Sequence, residues 1–109
     1  MADVPEIDVA GLAEARAAGA PLIDVREPDE YASAHAPGAV LIPLGQLPDR
    51  VAEVPADGTV YVICRSGGRS AKAVAHLRQQ GIDAVNVAGG TLAWIEAGHP
   101  VDTEGGSDA

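Results

Sequence analysis

Four short, largely apolar runs punctuate this chain, and none exceeds five residues: Leu22-Ile23-Asp24-Val25, Ala39-Val40-Leu41-Ile42, Thr59-Val60-Tyr61-Val62-Ile63 and Asp83-Ala84-Val85-Asn86-Val87. Alternate side chains of a strand leave on opposite faces, so a run that is apolar throughout needs cover on both. The intervening segments read as helices. Asp8 is placed to N-cap a helix over residues 9–18, which Gly19 closes. Pro28 suits the first turn of a helix near residues 29–34. Residues 44–54 carry a weaker helical pattern, in which Pro48 predicts a break. Residues 70–80 read as a helix with Ala71, Val74, Ala75 and Leu77/Arg78 near one face and Gly81 past its end. Gly89-Gly90 is a turn before a last helix over residues 91–97. Doubly covered strands alternating with helices predict an α/β domain on a parallel sheet.

With 109 residues, no Phe, one Trp and two Tyr, the core must come from Val, Ile, Leu and Ala. The length fits one domain, expected over residues 1–101. Residues 102–109 are polar and glycine-containing and are expected to be a disordered tail. A net charge of −9 argues against nucleic acid or an anionic membrane as partner. No apolar run approaches the ~18 residues of a membrane helix. The start, Met1-Ala2-Asp3-Val4-Pro5-Glu6, lacks the basic region of a signal peptide, so a cytoplasmic location is expected. A single cysteine excludes an intrachain disulfide.

That cysteine, Cys64, ends the third apolar run and is followed by Arg65-Ser66-Gly67-Gly68-Arg69-Ser70. A thiol on a strand is by default buried and inert. The attached loop reverses that expectation. In open α/β sheets ligands bind outside the carboxyl ends of the strands, and there the sulfur faces the amino end of the next helix. Helix dipole, unpaired amides and cationic neighbours all favour a thiolate. Gly67 and Gly68 allow successive N–H groups to converge on an anion. Arg65 and Arg69 offer forked donors to an oxyanion. Ser70 or Ser66 can cap the helix. Three of the seven basic residues, Arg65, Arg69 and Lys72, fall within nine positions of Cys64.

Residues 64–70 resemble the active-site loop of the rhodanese-like domain family. Leu22 through Tyr31 matches the family's first signature, and His35-Ala36-Pro37-Gly38-Ala39 a second, with Ala34 and Ala36 departing from its usual Gly and Ile. Gly89-Gly90 through Trp94, Gly98 and Pro100 matches a third. The similarity spans roughly residues 6 to 101. It implies a five-stranded parallel sheet flanked by helices on both faces, and sulfur transfer through a persulfide on Cys64. The amides of residues 65–69 would cradle that persulfide, with Arg65, Ser66, Gly67, Gly68, Arg69 and Ser70 forming the substrate site. The donor would be a small sulfur anion such as thiosulfate, and the acceptor cyanide or a thiol, a thioredoxin-like protein among them; a cysteine desulfurase is a further candidate partner. No metal or organic cofactor is implied. Family relatives that are phosphatases or arsenate reductases have a loop one residue longer; here arginine stands five positions after the cysteine, which suits a sulfur species better. A non-catalytic module or a partner-fed sulfur carrier is the competing reading.

Other polar residues have plainer expectations. Asp24 and Arg26 suit a structural ion pair, and His35 a turn-stabilising hydrogen bond. His76 suits a solvated helix position. The three histidines, His35, His76 and His99, lack metal-ligand spacing. Trp94 suits the core. Glu27, Asp29 and Glu30 suit the first turn of a helix without any bound cation.

Overall fold

The computed structural model describes residues 4–104. Its centre is a five-stranded parallel sheet: β1 (Glu6–Ile7), β2 (Leu22–Asp24), β3 (Val40–Leu41), β4 (Val60–Ile63) and β5 (Ala84–Val87), in the order β1-β5-β4-β2-β3. Helices α1 (Val9–Ala17), α2 (Pro28–Ser33), α3 (Gly68–Gln79) and α4 (Gly90–Glu96) make the connections and cover. Alternation along the strands splits the core in two. Ile23, Val60, Val62 and Ala84 pack with Ala73, Val74 and Leu77 of α3. Leu22, Ile63 and Val87 pack on the other side with Leu12 of α1 and Trp94 of α4.

The local signals explain most of these elements. Asp8 accepts a hydrogen bond from the Gly11 amide at 2.8 Å and so caps α1. Pro28 occupies the first turn of α2, where its missing N–H costs nothing. Arg26 and Asp24 form a forked ion pair at the end of β2, both buried, and Arg26 also donates to the Ala34 carbonyl. His35 Nδ1 lies 2.7 Å from the Tyr31 carbonyl, and its ring stacks on that of Tyr31. Trp94 is buried and donates to the Pro100 carbonyl. His76 is half-buried on α3.

Strand β1 is not legible in the residues, because Ile7 stands alone between Glu6 and Asp8 and makes no apolar run. Three expectations are corrected. Residues 44–54 are two 3-10 segments, Leu44–Asp49 and Val51–Glu53, because a proline inside the first stretch withholds an amide from any longer ladder. Helix α3 starts two residues earlier than expected, and its buried face is Ser70, Ala73, Val74 and Leu77, a regular i, i+3, i+4, i+7 stripe headed by a serine. Arg78 is exposed. The polar tail does not begin as free chain: Asp102 exchanges backbone hydrogen bonds with His35, and Glu104 donates to the Ala32 carbonyl. The remainder of that expected tail, 105–109, lies outside the described residues.

Candidate functional site

Strand β4 delivers Cys64 to the carboxyl edge of the sheet, one residue beyond the strand. The chain must then reverse within three residues to start α3. Gly67 makes that possible at φ +115°, a backbone setting that costs an L-residue about 1–3 kcal/mol. A Cβ there would meet nothing closer than 3.6 Å, so conformation and not space selects glycine. The reversal turns the Gly67 amide onto the sulfur, with N to Sγ 3.1 Å. Ser70 Oγ stands 3.3 Å from the same sulfur.

Neither Ser66 nor Ser70 caps α3. Gly67 is the N-cap residue, without a side-chain cap, and Ser70 is already inside the helix, its hydroxyl buried between Cys64, the Gly67 carbonyl and Asn86. Cys64 itself is 1 % exposed. Burial pushes its thiol up, but hydrogen bonds from the Ser70 hydroxyl and from the amides of Ser70, Gly67 and Ser66 outweigh it. The net result is a thiol below its ordinary range.

The two arginines differ. Arg69 is engaged by Glu30 of α2 in a forked pair at 2.7 and 2.8 Å. Glu30 also accepts the Glu27 amide, and the Arg69 guanidinium holds its carboxyl down to about 2. Arg65 forms no ion pair among the described residues. It lines a groove of about 230 Å³ together with Arg26, Glu30, Thr91, Leu92 and Ile95. Leu92 and Ile95 are each 46 % exposed, an apolar rim beside a cationic loop. A larger hollow of about 340 Å³ between α1 and α4, lined by Arg16, Trp94 and His99 among others, does not include Cys64 or its loop.

Two residues of the site had escaped sequence reasoning. Thr91 donates its amide and its hydroxyl to the Cys64 carbonyl, at 2.8 and 3.0 Å. The Leu92 amide reaches the Arg65 carbonyl at 3.1 Å. Gly90 permits this approach, since a Cβ on it would lie 2.5–2.6 Å from the backbone of Cys64 and Arg65. Asn86, 1 % exposed on β5, carries the second unnoticed contact. The only sequence signal for it was an amide side chain inside an apolar run.

A lone thiol at the end of a parallel strand, with its sulfur at the amino end of the next helix, is the class of α/β setting that suits a cysteine nucleophile. Within that class the chain belongs to the rhodanese-like domain family, whose model matches residues 8–97. It is 43 % identical over 81 residues to a sulfurtransferase of Allochromatium vinosum, covering 73 % of this chain and 76 % of that protein. It is 40 % identical over 94 residues to the putative sulfurtransferase YtwF of Bacillus subtilis, covering 84 % and 91 %. The crystal structure of a rhodanese-related protein from Thermoplasma volcanium superposes with a TM-score of 0.86 at 37 % identity, covering 92 % of this chain and 99 % of that one. These relationships support a rhodanese-type sulfur-transfer role. No helix of the described residues is long and apolar enough to cross a membrane.

Proposed function

We propose that this protein is a thiosulfate-type sulfurtransferase that carries sulfane sulfur as a persulfide on Cys64. The observation that carries this reading is the sulfur's setting: Sγ accepts the Gly67 amide at 3.1 Å, at the amino end of α3, with its thiol held below the ordinary range. In the first step the Cys64 thiolate attacks the outer sulfur of thiosulfate. A new S–S bond forms, the donor's own S–S bond breaks, and its electron pair leaves on sulfite. The negative charge now sits on the terminal persulfide sulfur, where the amides of residues 65–69 cradle it. In the second step cyanide or a thiolate takes that sulfur, and the electron pair returns to Cys64. No metal or organic cofactor enters either step.

Arg65 draws the anionic end of the donor into the groove. Arg69 joins from its pair with Glu30, which occupies only part of its five-donor fork. Ser66, Gly67, Gly68 and Ser70 complete the cradle. With one cysteine in the chain, the persulfide needs an external acceptor, and a thiol of a thioredoxin-like protein meets that need; a desulfurase protein could load the same cysteine. A thiol with this duty must stay reduced, which fits the cytoplasm.

Intact-mass spectrometry after incubation with thiosulfate tests the reading. Wild type should gain one sulfur, ~32 Da, that cyanide removes, while Cys64→Ser gains nothing. Absence of the adduct on wild type would instead favour a carrier loaded by another protein or a binding module.

A further inference from the structure

The hydroxyl of Ser70 has one proton and three acceptors. Cys64 Sγ and the Gly67 carbonyl are each 3.3 Å away, and Asn86 Oδ1 is closer than either. The direction of the Asn86 amide is fixed independently. Its Nδ2 donates to the Glu6 carboxylate at 2.9 Å and to the Gly67 carbonyl at 3.2 Å. Turning the amide over would set oxygen against two acceptors, so the oxygen is the end that faces Ser70. Strand register produces this row: Glu6 pairs with Asn86, and Asn86 with Val62, two residues before the cysteine.

We propose that Asn86 is a positioning residue that competes with the Cys64 sulfur for the Ser70 proton. In the thiol form Cys64 S–H donates to Ser70 Oγ and Ser70 donates to Asn86, so every group is paired. When the sulfur ionises, its proton leaves to solvent and Ser70 must turn toward the thiolate. Asn86 Oδ1, buried beneath the loop, then loses its donor. Asn86 therefore restrains the ionisation that Ser70 and the loop amides promote. One consequence rests on the sulfur-transfer reading above. In the persulfide the charge moves outward, Cys64 Sγ becomes a neutral bridging atom, and Ser70 can return to Asn86. The network thus favours the sulfur-loaded state over the bare thiolate.

The charged groups around the site are Glu6 on β1, Arg65 in the loop, Arg69 on α3 with Glu30 on α2, and the mutually neutralising Asp24 and Arg26 at the end of β2. Substitution at 70 or 86 changes none of these charges. The test is the pH dependence of Cys64 alkylation by iodoacetamide in wild type, Ser70→Ala, Asn86→Ala and the double variant. Ser70→Ala should raise the apparent pKa and Asn86→Ala should lower it, each by about 0.5–1 unit, or roughly three- to tenfold in thiolate at fixed pH. The double variant should match Ser70→Ala, because Asn86 acts through that hydroxyl. An Asn86→Ala pKa equal to or above that of wild type, or additive shifts in the double variant, would overturn the proposal. Asn86→Leu, which keeps the side-chain volume and neutral charge but accepts no hydrogen bond, keeps the test open if Asn86→Ala does not fold. It should lower the apparent pKa in the wild-type background and not in Ser70→Ala; equal lowering in both, or none, defeats the competition. Alkylation needs no sulfur donor, so its failure leaves the sulfur-transfer reading untouched. The fraction loaded at a fixed thiosulfate-to-sulfite ratio should fall in Asn86→Ala, and an unchanged fraction would remove the persulfide consequence alone.

Discussion

Helices α3 and α4 each follow a parallel strand, and each starts after a glycine in the left-handed region with no side-chain cap, Gly67 at φ +115° and Gly89 at φ +80°. Their first amides meet different things. At α3 the turn and first residues converge on the Cys64 sulfur. At α4 the amides of Thr91 and Leu92 are taken up by the carbonyls of Cys64 and Arg65, which belong to the first loop. One helix start is left open to the Cys64 sulfur, and the other is spent holding the backbone that carries it. A glycine before a helix therefore does not mark a ligand site by itself; what fills the orphan amides decides.

Substitutions at the two starts should separate these roles. The largest effect is expected for Gly90→Ala. Its Cβ would fall 2.5 Å from the Arg65 carbonyl oxygen, so backbone must move. Overpacking of this kind costs roughly 1–3 kcal/mol, read by chemical denaturation, and should also displace Cys64 and lower sulfur transfer more than tenfold. Gly67→Ala should cost less stability, about 1–2 kcal/mol, because only the dihedral is strained. Its signature should instead be a raised Cys64 pKa in the alkylation profile, as the amide turns off the sulfur. If Gly67→Ala lost more stability than Gly90→Ala and kept the wild-type pKa, the division of labour would be reversed. Thr91→Val should be mildest. It removes the hydroxyl contact and keeps the amide one, costing about 1 kcal/mol with the alkylation profile unchanged. A large pKa shift in Thr91→Val would mean that the α4 side tunes the thiol directly.

The open start was readable from residues, and the spent one was not. Cys64 through Ser70 announces itself because thiol, glycines and arginines lie consecutively in sequence. The strands around it were readable for a similar reason, since Leu22–Asp24, Val60–Ile63 and Ala84–Val87 are buried on both faces and so are largely apolar, with Asp24 and Asn86 the buried polar exceptions. Glu6–Ile7 left no trace, since Ile7 stands alone between Glu6 and Asp8, whereas the equally short edge strand Val40–Leu41 lies inside the apolar run 39–42. Thr91 and Asn86 are remote from the cysteine in sequence, and each joins the site through sheet register or helix docking. Arg69 shows the same limit: its position near the thiol was legible, but its forked pair with Glu30, 39 residues away, was not.

The contact between Thr91 and the Cys64 carbonyl spans 27 residues, and that between Asn86 and Glu6 spans 80. A chain made from its amino end thus exposes its cysteine well before the residues that hold and tune it exist. Until β5 and the start of α4 have emerged and docked, the Cys64 loop lacks both the Thr91 contact that holds its backbone and the Asn86 amide beneath Ser70. The surroundings of this one sulfur are therefore completed only by the last strand and helix of the domain to be made.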